Sequence, residues 1–281
     1  MNNNFFEIIA EKVSDRNKLF LKEVNGSSYK YRDMEDLTGQ YANLFKNLGV
    51  IKGDRVALQT GKIIDCIWIY LSLLRIGAIY LPLNPSYTTE EVKYFIEDAE
   101  PTLFISENIF SDELKAILLK NKTIHETISN DGDGSLQKKL NNENNIFTNE
   151  KINKNDIACI LYTSGTTGKS KGAMITHENL SSNALTLVKS WGYTSKDKLL
   201  HALPIFHVHG LFVAINTILL SGGSILFFKK FDTEEVIENL PLVTSMMGVP
   251  TFYSRLVSNK NFNKNISKHI RVFISGSAPL S

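Results

Sequence analysis

Residues 162–172 read YTSGTTGKSKG, directly after an apolar segment, Ile157–Tyr162, that is predicted to be a β-strand. Glycines in this run allow the backbone to turn tightly and to approach a ligand closely. Its hydroxyl side chains and exposed backbone N–H groups suit phosphate oxygens, and Lys169 and Lys171 add positive charge. The segment therefore predicts a phosphate-binding loop at residues 163–172, at the edge of a sheet.

This loop differs from the P-loop of nucleoside triphosphatases. A P-loop has four residues between its first glycine and Gly-Lys-Ser. Thr163 stands where that first glycine would be required, and Gly165 lies too close to Gly168. The next residues, Ala173–Ile175, are predicted to be a strand, whereas a P-loop opens into a helix. A flexible linker is also disfavoured, since linkers rarely lie between two apolar strands.

Short β-rich segments alternate with amphipathic helical patterns on both sides of the loop. This alternation predicts a layered α/β fold of βαβ subdomains with largely parallel sheets. The predicted strands are Val56–Leu58, Ala78–Leu83, Thr102–Ile105, Ile157–Tyr162, Ala173–Ile175, Ser224–Phe228, Val243–Met247 and Arg271–Ser275. Helices are predicted at Asp36–Leu48, Ile63–Arg75, Glu178–Lys189 and His209–Ser221, and after the capping residues Thr88 and Asp232 and after Pro250.

Composition narrows the classes of function. The 281 residues carry a net charge of +2 with scattered Lys and Arg, so neither nucleic acid nor an anionic membrane surface is expected as a partner. The uncharged stretch Leu199–Phe228 is interrupted by Pro204 and by Gly222-Gly223, which favours a buried helix and strand over a membrane span. Cys66 and Cys159 predict buried free thiols, and with no secretory signal a cytoplasmic protein is expected.

Four segments resemble motifs of the adenylate-forming superfamily, which includes acyl-CoA synthetases, carrier-protein adenylation domains and firefly luciferase. Residues 163–172 match its phosphate-binding signature. The other three, in the family's order, are the upstream core motif at 75–85, the acyl-pocket motif at 203–211 and the turn against the nucleotide at 274–280. Within the superfamily, the runs at 201–232 and 246–256 look most like malonyl-CoA synthetases.

The resemblance implies an acid-thiol ligase with ATP, Mg²⁺ and CoA as its cofactor and co-substrates. Such an enzyme activates a carboxylic acid, here malonate or a related short dicarboxylate, to an acyl adenylate and then to acyl-CoA. A fatty or aryl acid–CoA ligase and a carrier-protein adenylation domain are alternatives. A nucleotide- or acyl-binding remnant without catalysis is the alternative outside the enzymes.

The resemblance also assigns roles to individual residues. It places ATP beside Thr163, Ser164, Gly165, Thr166, Thr167, Gly168, Lys171, Gly276, Ser277 and Ala278. Thr166 would also contact Mg²⁺, and Lys171, Thr166 and His207 would be catalytic. His207, Met247 and Arg255 would contact the acid, with the Arg255 guanidinium matching a second carboxylate bidentately. His209 is expected to be structural.

The domain prediction treats residues 1–281 as an incomplete large N-terminal adenylation domain. The polar stretch at about 120–155 is expected to be a surface excursion or mobile loop. The family pattern continues with an acidic Mg²⁺ ligand, a ribose-binding aspartate and a small C-terminal domain that carries the adenylation lysine. None of these is found in the 281 residues, so we expect the fragment alone to be inactive.

Overall fold

The computed structural model describes residues 3–107, 111–163 and 170–279. Two compact units make up the chain. The first unit comprises Met1–Ile8 and Glu35–Asn179, and the second comprises Ile9–Met34 and Leu180–Ser281. Each unit has a six-stranded sheet of its own.

Strands and helices alternate through most of the described residues. The strands are β1 (Leu19–Glu23), β2 (Ser28–Lys30), β3 (Arg55–Gln59), β4 (Ile79–Leu83), β5 (Leu103–Ser106), β6 (Ile124–Thr127), β7 (Ile157–Thr163), β8 (Lys171–Thr176), β9 (Lys198–His201), β10 (Ser224–Phe227), β11 (Ser245–Gly248) and β12 (Val272–Ser275). The α-helices are α1 (Phe5–Lys12), α2 (Tyr31–Asn47), α3 (Asp65–Ile76), α4 (Thr89–Ala99), α5 (Asp112–Lys120), α6 (Ser135–Leu140), α7 (His177–Trp191), α8 (Asn216–Ser221), α9 (Thr233–Asn239), α10 (Pro250–Val257) and α11 (Lys264–Ser267). A π-helical segment occupies His209–Ile215, and a 3-10 turn occupies Leu240–Leu242.

The sheet of the first unit has the strand order β6-β5-β3-β4-β7-β8. Its strands are parallel except β8, which pairs antiparallel with β7. Helices α4 and α5 pack against β3, β4 and β5 through Phe95, Phe104 and Leu114, all buried. Helix α3 is buried along almost its whole length and ends at Gly77, whose φ of 74° suits a residue without Cβ.

The sheet of the second unit has the order β12-β11-β9-β10-β1-β2, and only β2 is antiparallel to its neighbour. Helices α9 and α10 cover one face of this sheet, where Val236 and Leu256 pack with Leu200 and Met246. Parallel strands with helices packed on them confirm the predicted α/β class.

The predicted helices and strands are confirmed, with ends that shift by a few residues. Thr88 and Glu91 form the predicted capping box, and Asp232 caps α9. Strand β8 follows the loop directly, as predicted for a loop that is not a P-loop. Cys66 and Cys159 are buried and free. The buried helix predicted at 209–221 is present, but its first two turns are π-helical.

The polar stretch at about 120–155 differs from the surface excursion expected. It contains edge strand β6, which pairs parallel with β5, and helix α6. The guanidinium of buried Arg75 donates to the carbonyl of Phe147 over 2.9 Å and to the Asn149 side chain over 2.7 Å. Hydrogen bonds from Arg75 to one backbone carbonyl and one side-chain oxygen therefore help to fix this stretch, and a hydrophobicity pattern carries no signal for such contacts.

Across residues 3–107, 111–163 and 170–279, no helix is long and apolar enough to span a membrane.

Buried His177 makes the stability of the first unit depend on pH. Its Nδ1 accepts a hydrogen bond from the backbone N–H of Phe5 over 3.2 Å, and desolvation lowers its pKa to about 4. An unfolded histidine titrates near its ordinary value of about 6.5, so the unfolded chain binds more protons between these two values. The stability that neutral His177 confers is therefore complete above about pH 6.5 and is lost as the pH falls toward 4.

We expect the free energy of unfolding to fall by about 2 kcal/mol between pH 7 and pH 5 because of this one group. Urea unfolding at both pH values measures the change. The glutamine of His177→Gln cannot titrate in this range. Between pH 7 and pH 5, the unfolding free energy of this variant should therefore fall by about 2 kcal/mol less than that of the wild type. Equal pH dependence in the two proteins would contradict the assignment to His177.

Candidate functional site

Strands β7 and β8 hold the two ends of the predicted phosphate-binding loop. Thr163 pairs with Lys171, and the Thr163 hydroxyl lies 3.5 Å from the Lys171 carbonyl, to which it donates. Both residues are exposed. The predicted ATP contacts Ser164, Gly165, Thr166, Thr167 and Gly168 lie outside the described residues. The described ends place the loop after the carboxyl end of β7, where ligands bind in α/β sheets.

Helix α4 supports the loop, a role that the sequence analysis did not predict. The Tyr94 hydroxyl donates to the Ser170 carbonyl over 2.8 Å, and the Tyr162 hydroxyl donates to Asp98 over 2.5 Å. The rings of Phe95 and Tyr162 are 4.4 Å apart. Burial, and then the Asp98 carboxylate, raise the pKa of Tyr162, so its hydroxyl stays protonated and can donate. The only sequence signal was a tyrosine beside the loop and another on the predicted helix.

The upstream motif at 75–85 has a structural role in the first unit. Tyr80 and Pro82 are buried in β4, and the Asn84 side chain accepts the backbone N–H of Ser86 over 2.9 Å. The Gln59 amide donates to the carbonyls of Asn84 and Tyr87, each over 3.2 Å. These contacts fix the turn after β4, which is the parallel neighbour of β7.

In the second unit, three neighbouring parallel strands end at one edge of the sheet. Strands β9, β11 and β12 end at His201, Gly248 and Ser275. The residues after β9 and β12 line a cavity of about 360 Å³ at this edge. Its lining residues are Leu203, Pro204, His207, Val208, His209, Gly210 and Ser277. The acyl-pocket and nucleotide-turn motifs, predicted separately, thus meet in one cavity.

His207, a predicted contact of the acid, lines this cavity. Its side chain is exposed, and its ring lies 4.3 Å from the Phe206 ring. Desolvation lowers the pKa of His207, so the ring is neutral near pH 7. Among the described residues, its imidazole has no hydrogen-bond partner, which leaves its nitrogens available to a ligand.

His209 belongs to the cavity wall, which the sequence analysis did not expect. Its Nδ1 lies 3.1 Å from the Ser277 hydroxyl. A Cβ at Gly276 would lie 3.2 Å from Cε1 of His209, so the ring also packs against the Gly276 main chain. Its burial and this hydrogen bond agree with the structural role expected of it, whereas its partner Ser277, 68 residues away in sequence, was not predicted.

A buried hydrogen bond fixes the turn that carries both histidines. Nε2 of His201 donates to the Gly210 carbonyl over 2.8 Å, and the His201 ring stacks on Phe227. A Cβ at Gly210 would lie 2.0 Å from the Pro204 carbonyl oxygen. Only glycine fits at this position, and the close approach brings the π-helical segment against the preceding turn.

Met247 and Arg255, the other predicted acid contacts, do not line this cavity. Met247 is fully buried in β11, where it pairs with His201 and Ile274. Arg255 is exposed on α10 and lines a separate surface depression with Thr233, Ser254, Ser258 and Asn259. Within the described ranges, Arg255 forms no ion pair. Gly276 and Ala278 follow β12 on either side of Ser277, and Ala278 is exposed.

The sequence analysis predicted the Thr166 hydroxyl as the contact of Mg²⁺. Residues 3–107, 111–163 and 170–279 contain no cluster of three or more His, Cys, Asp or Glu side chains suited to a metal. Thr166 lies outside these ranges. Mg²⁺ commonly binds through few protein oxygens together with substrate phosphates and water, so a lone hydroxyl is compatible with its chemistry.

Comparison with known proteins assigns the family. A family profile described as AMP-binding enzyme matches residues 6–281. The chain therefore belongs to the AMP-binding enzyme family. This confirms the superfamily and the fold class that the four sequence motifs predicted.

The relatives include malonate–CoA ligases. Malonate–CoA ligase of Arabidopsis thaliana is 29% identical over 287 residues, covering 94% of this chain and 45% of that protein. Malonate–CoA ligase ACSF3, mitochondrial, of Xenopus laevis is 31% identical over 226 residues, covering 73% of this chain and 38% of that protein. The crystal structure of ATP-bound MatB from Rhodopseudomonas palustris has a TM-score of 0.96 at 44% identity, covering 100% of this chain and 56% of that one. The chain spans about half the length of the relatives it matches.

Gly210 offers a test of how tightly the turn is packed. Gly210→Ala would place a methyl group against the Pro204 carbonyl, so we expect it to destabilise the protein by about 3 kcal/mol. Gly132→Ala is a matched control, because Gly132 has a φ of 78° and open space around its Cβ position. That control should cost only about 1 kcal/mol through the left-handed backbone. Urea unfolding of both variants measures the difference, and equal losses would contradict the close approach at Gly210.

Proposed function

We propose that this chain forms the nucleotide-binding part of an ATP-dependent acid–CoA ligase, with malonate or a related short dicarboxylate as the acid. The main support is the loop at 163–172, which is framed by β7 and β8 in a chain of the AMP-binding enzyme family. The names of the malonate–CoA ligase relatives and the likeness to ATP-bound MatB support the choice of acid and nucleotide.

The proposed reaction suits the chemistry of the loop. A carboxylate oxygen attacks the α-phosphorus of ATP, and the bond to the pyrophosphate oxygen breaks. Negative charge then increases on the leaving pyrophosphate. Donors of the loop and the Lys171 ammonium would offset this charge, because fixed donors act most strongly where charge develops. No covalent intermediate with the protein is needed, so positioning of the two reactants supplies much of the rate.

Bound Mg²⁺ would neutralise phosphate charge and polarise the phosphoryl oxygens. We propose the Thr166 hydroxyl as its contact in this chain. Loop residues Thr163, Ser164, Thr167 and Lys171 would hold the remaining phosphate oxygens, and Gly165 and Gly168 would let the main chain approach them.

The cavity in the second unit suits a short acid. Its volume of about 360 Å³ is near the lower end of ligand pockets, which are typically about 300–1,000 Å³. Neutral His207 can donate a hydrogen bond to a carboxylate oxygen from its protonated nitrogen. We propose that His207 orients the reacting carboxylate, while Gly276, Ser277 and Ala278 border the adenine and ribose.

Arg255 is proposed to bind the second carboxylate of the acid, with Met247 as a neighbouring packing residue. Support comes from its exposure and from its lack of an acidic partner among the described residues. The proposal requires the long Arg255 side chain, or α10 itself, to move toward the acid when it binds, because Arg255 lines a different depression from His207.

Pyrophosphate exchange by the full-length protein tests the proposed acid. We expect malonate and methylmalonate to support faster exchange than acetate or longer monocarboxylates. Arg255→Ala should lower kcat/KM for malonate by about 30-fold and leave the slow exchange with acetate nearly unchanged, since acetate has no second carboxylate. Arg255→Lys keeps the charge without the bidentate geometry, so its kcat/KM for malonate should lie between those of the wild type and Arg255→Ala.

Other outcomes of this experiment have defined meanings. Equal losses for malonate and acetate would contradict the role of Arg255. Preference for a fatty or aryl acid would favour the alternative CoA ligases, and exchange without transfer to CoA would favour a carrier-protein adenylation domain. No exchange with any acid would favour a binding remnant.

We also propose that residues 1–281 are an incomplete adenylation domain. The missing half of the relatives' length would supply an acidic Mg²⁺ ligand, a ribose-binding aspartate and a small domain with the adenylation lysine. We therefore expect the 281-residue chain alone to form no acyl-CoA from malonate, ATP and CoA. Thioester formation and pyrophosphate release by the purified chain measure this, with the full-length protein as the positive control. Release by the chain at a rate near that of the control would contradict the proposal.

A further inference from the structure

One side-chain contact in the cavity wall was not predicted from the sequence motifs. His209 begins the π-helical segment, and its Nδ1 lies 3.1 Å from the Ser277 hydroxyl. His209 is buried, with 8% of its surface exposed, whereas Ser277 is exposed at the rim of the cavity. This contact joins the turn after β9 to the turn after β12.

The turn after β12 has a backbone conformation that needs support. Ser277 has a φ of 68°, in the left-handed region that residues with a Cβ rarely adopt. Three contacts in the described residues hold it there. The His209 ring shares a hydrogen bond with the Ser277 hydroxyl, and the same ring packs against Gly276. The Gly276 N–H also donates to the Gly248 carbonyl over 3.2 Å. Two of the three come from His209.

His209 is itself held in place from the sheet. Its neighbour Gly210 accepts the hydrogen bond from buried His201, and Gly210 also packs against Pro204. The backbone at His209 therefore cannot shift without disturbing the end of β9. Desolvation lowers the pKa of His209, so its ring is neutral near pH 7 and can pair with a hydroxyl in either tautomer.

We infer that His209 is a positioning residue that fixes the Gly276-Ser277 turn against the nucleotide. This inference rests on the proposed function, which assigns that turn to the adenine and ribose. His209 acts through Ser277 and not on the reacting atoms. Its loss should therefore weaken the binding of ATP more than that of the acid, which the proposed function assigns to His207.

Two substitutions at His209 separate its hydrogen bond from its packing. The Asn amide can occupy the place of Nδ1, so His209→Asn retains a partner for Ser277, whereas His209→Leu fills space without one. In pyrophosphate exchange by the full-length protein, we expect His209→Leu to raise KM for ATP by about five- to tenfold. The KM for malonate should change by less than about twofold, and His209→Asn should restore most of the ATP affinity.

Ser277→Ala tests the same contact from its exposed side, where a smaller side chain does not threaten folding. It should raise KM for ATP as His209→Leu does, and the double variant should show no further rise, because both changes remove one interaction. This variant keeps the inference testable if His209→Leu does not fold.

Two results would overturn the positioning role while leaving the proposed function intact: an unchanged KM for ATP in active Ser277→Ala, or equal rises of KM for ATP and for malonate in both single variants. If none of the acids supports pyrophosphate exchange by the wild-type protein, that result would instead reject the proposed function, and this inference with it.

Discussion

The hydrogen bond from His201 to the Gly210 carbonyl constrains the whole candidate site of the second unit. His201 is fully buried at the end of β9, and a buried imidazole without a partner would cost about 1–3 kcal/mol. Its partner is available only because Gly210 has no Cβ and can approach Pro204. The intervening residues are thereby held in one tight turn, and that turn carries His207 and His209 to the edge of the sheet.

The two units hold their functional segments by different means. In the first unit, edge strand β8 and its antiparallel neighbour β7 frame the loop, and Tyr94 and Tyr162 tie the frame to α4. In the second unit, the segments follow the carboxyl ends of parallel strands, which places them side by side without any local pairing. A phosphate-binding loop needs backbone N–H groups to remain unpaired, so support at its ends suits its chemistry.

The sequence predicted the elements whose signal is local. Capping at Thr88 and Asp232 was visible because a few adjacent residues determine each cap. Strand β1 was missed because its five residues show no clear alternation, and of its two partners only β2 is near in sequence, whereas β10 lies about two hundred residues away. The stretch at 120–155 was misjudged for a related reason: polar residues there are ordered by contacts with distant Arg75 and by the edge position of β6.

The same distinction applies to the two histidines of the cavity. Motif resemblance gave His207 a functional role, and the exposed His207 ring has no protein partner in the described residues. The sequence analysis expected His209 to be structural, and its ring is bonded to Ser277. Desolvation lowers the pKa of both, so neither brings a positive charge to the site near pH 7. Their difference lies in what they touch: a ring open to the cavity can bind an acid that comes and goes, whereas a buried ring bonded to a strained turn can only set the shape of the site.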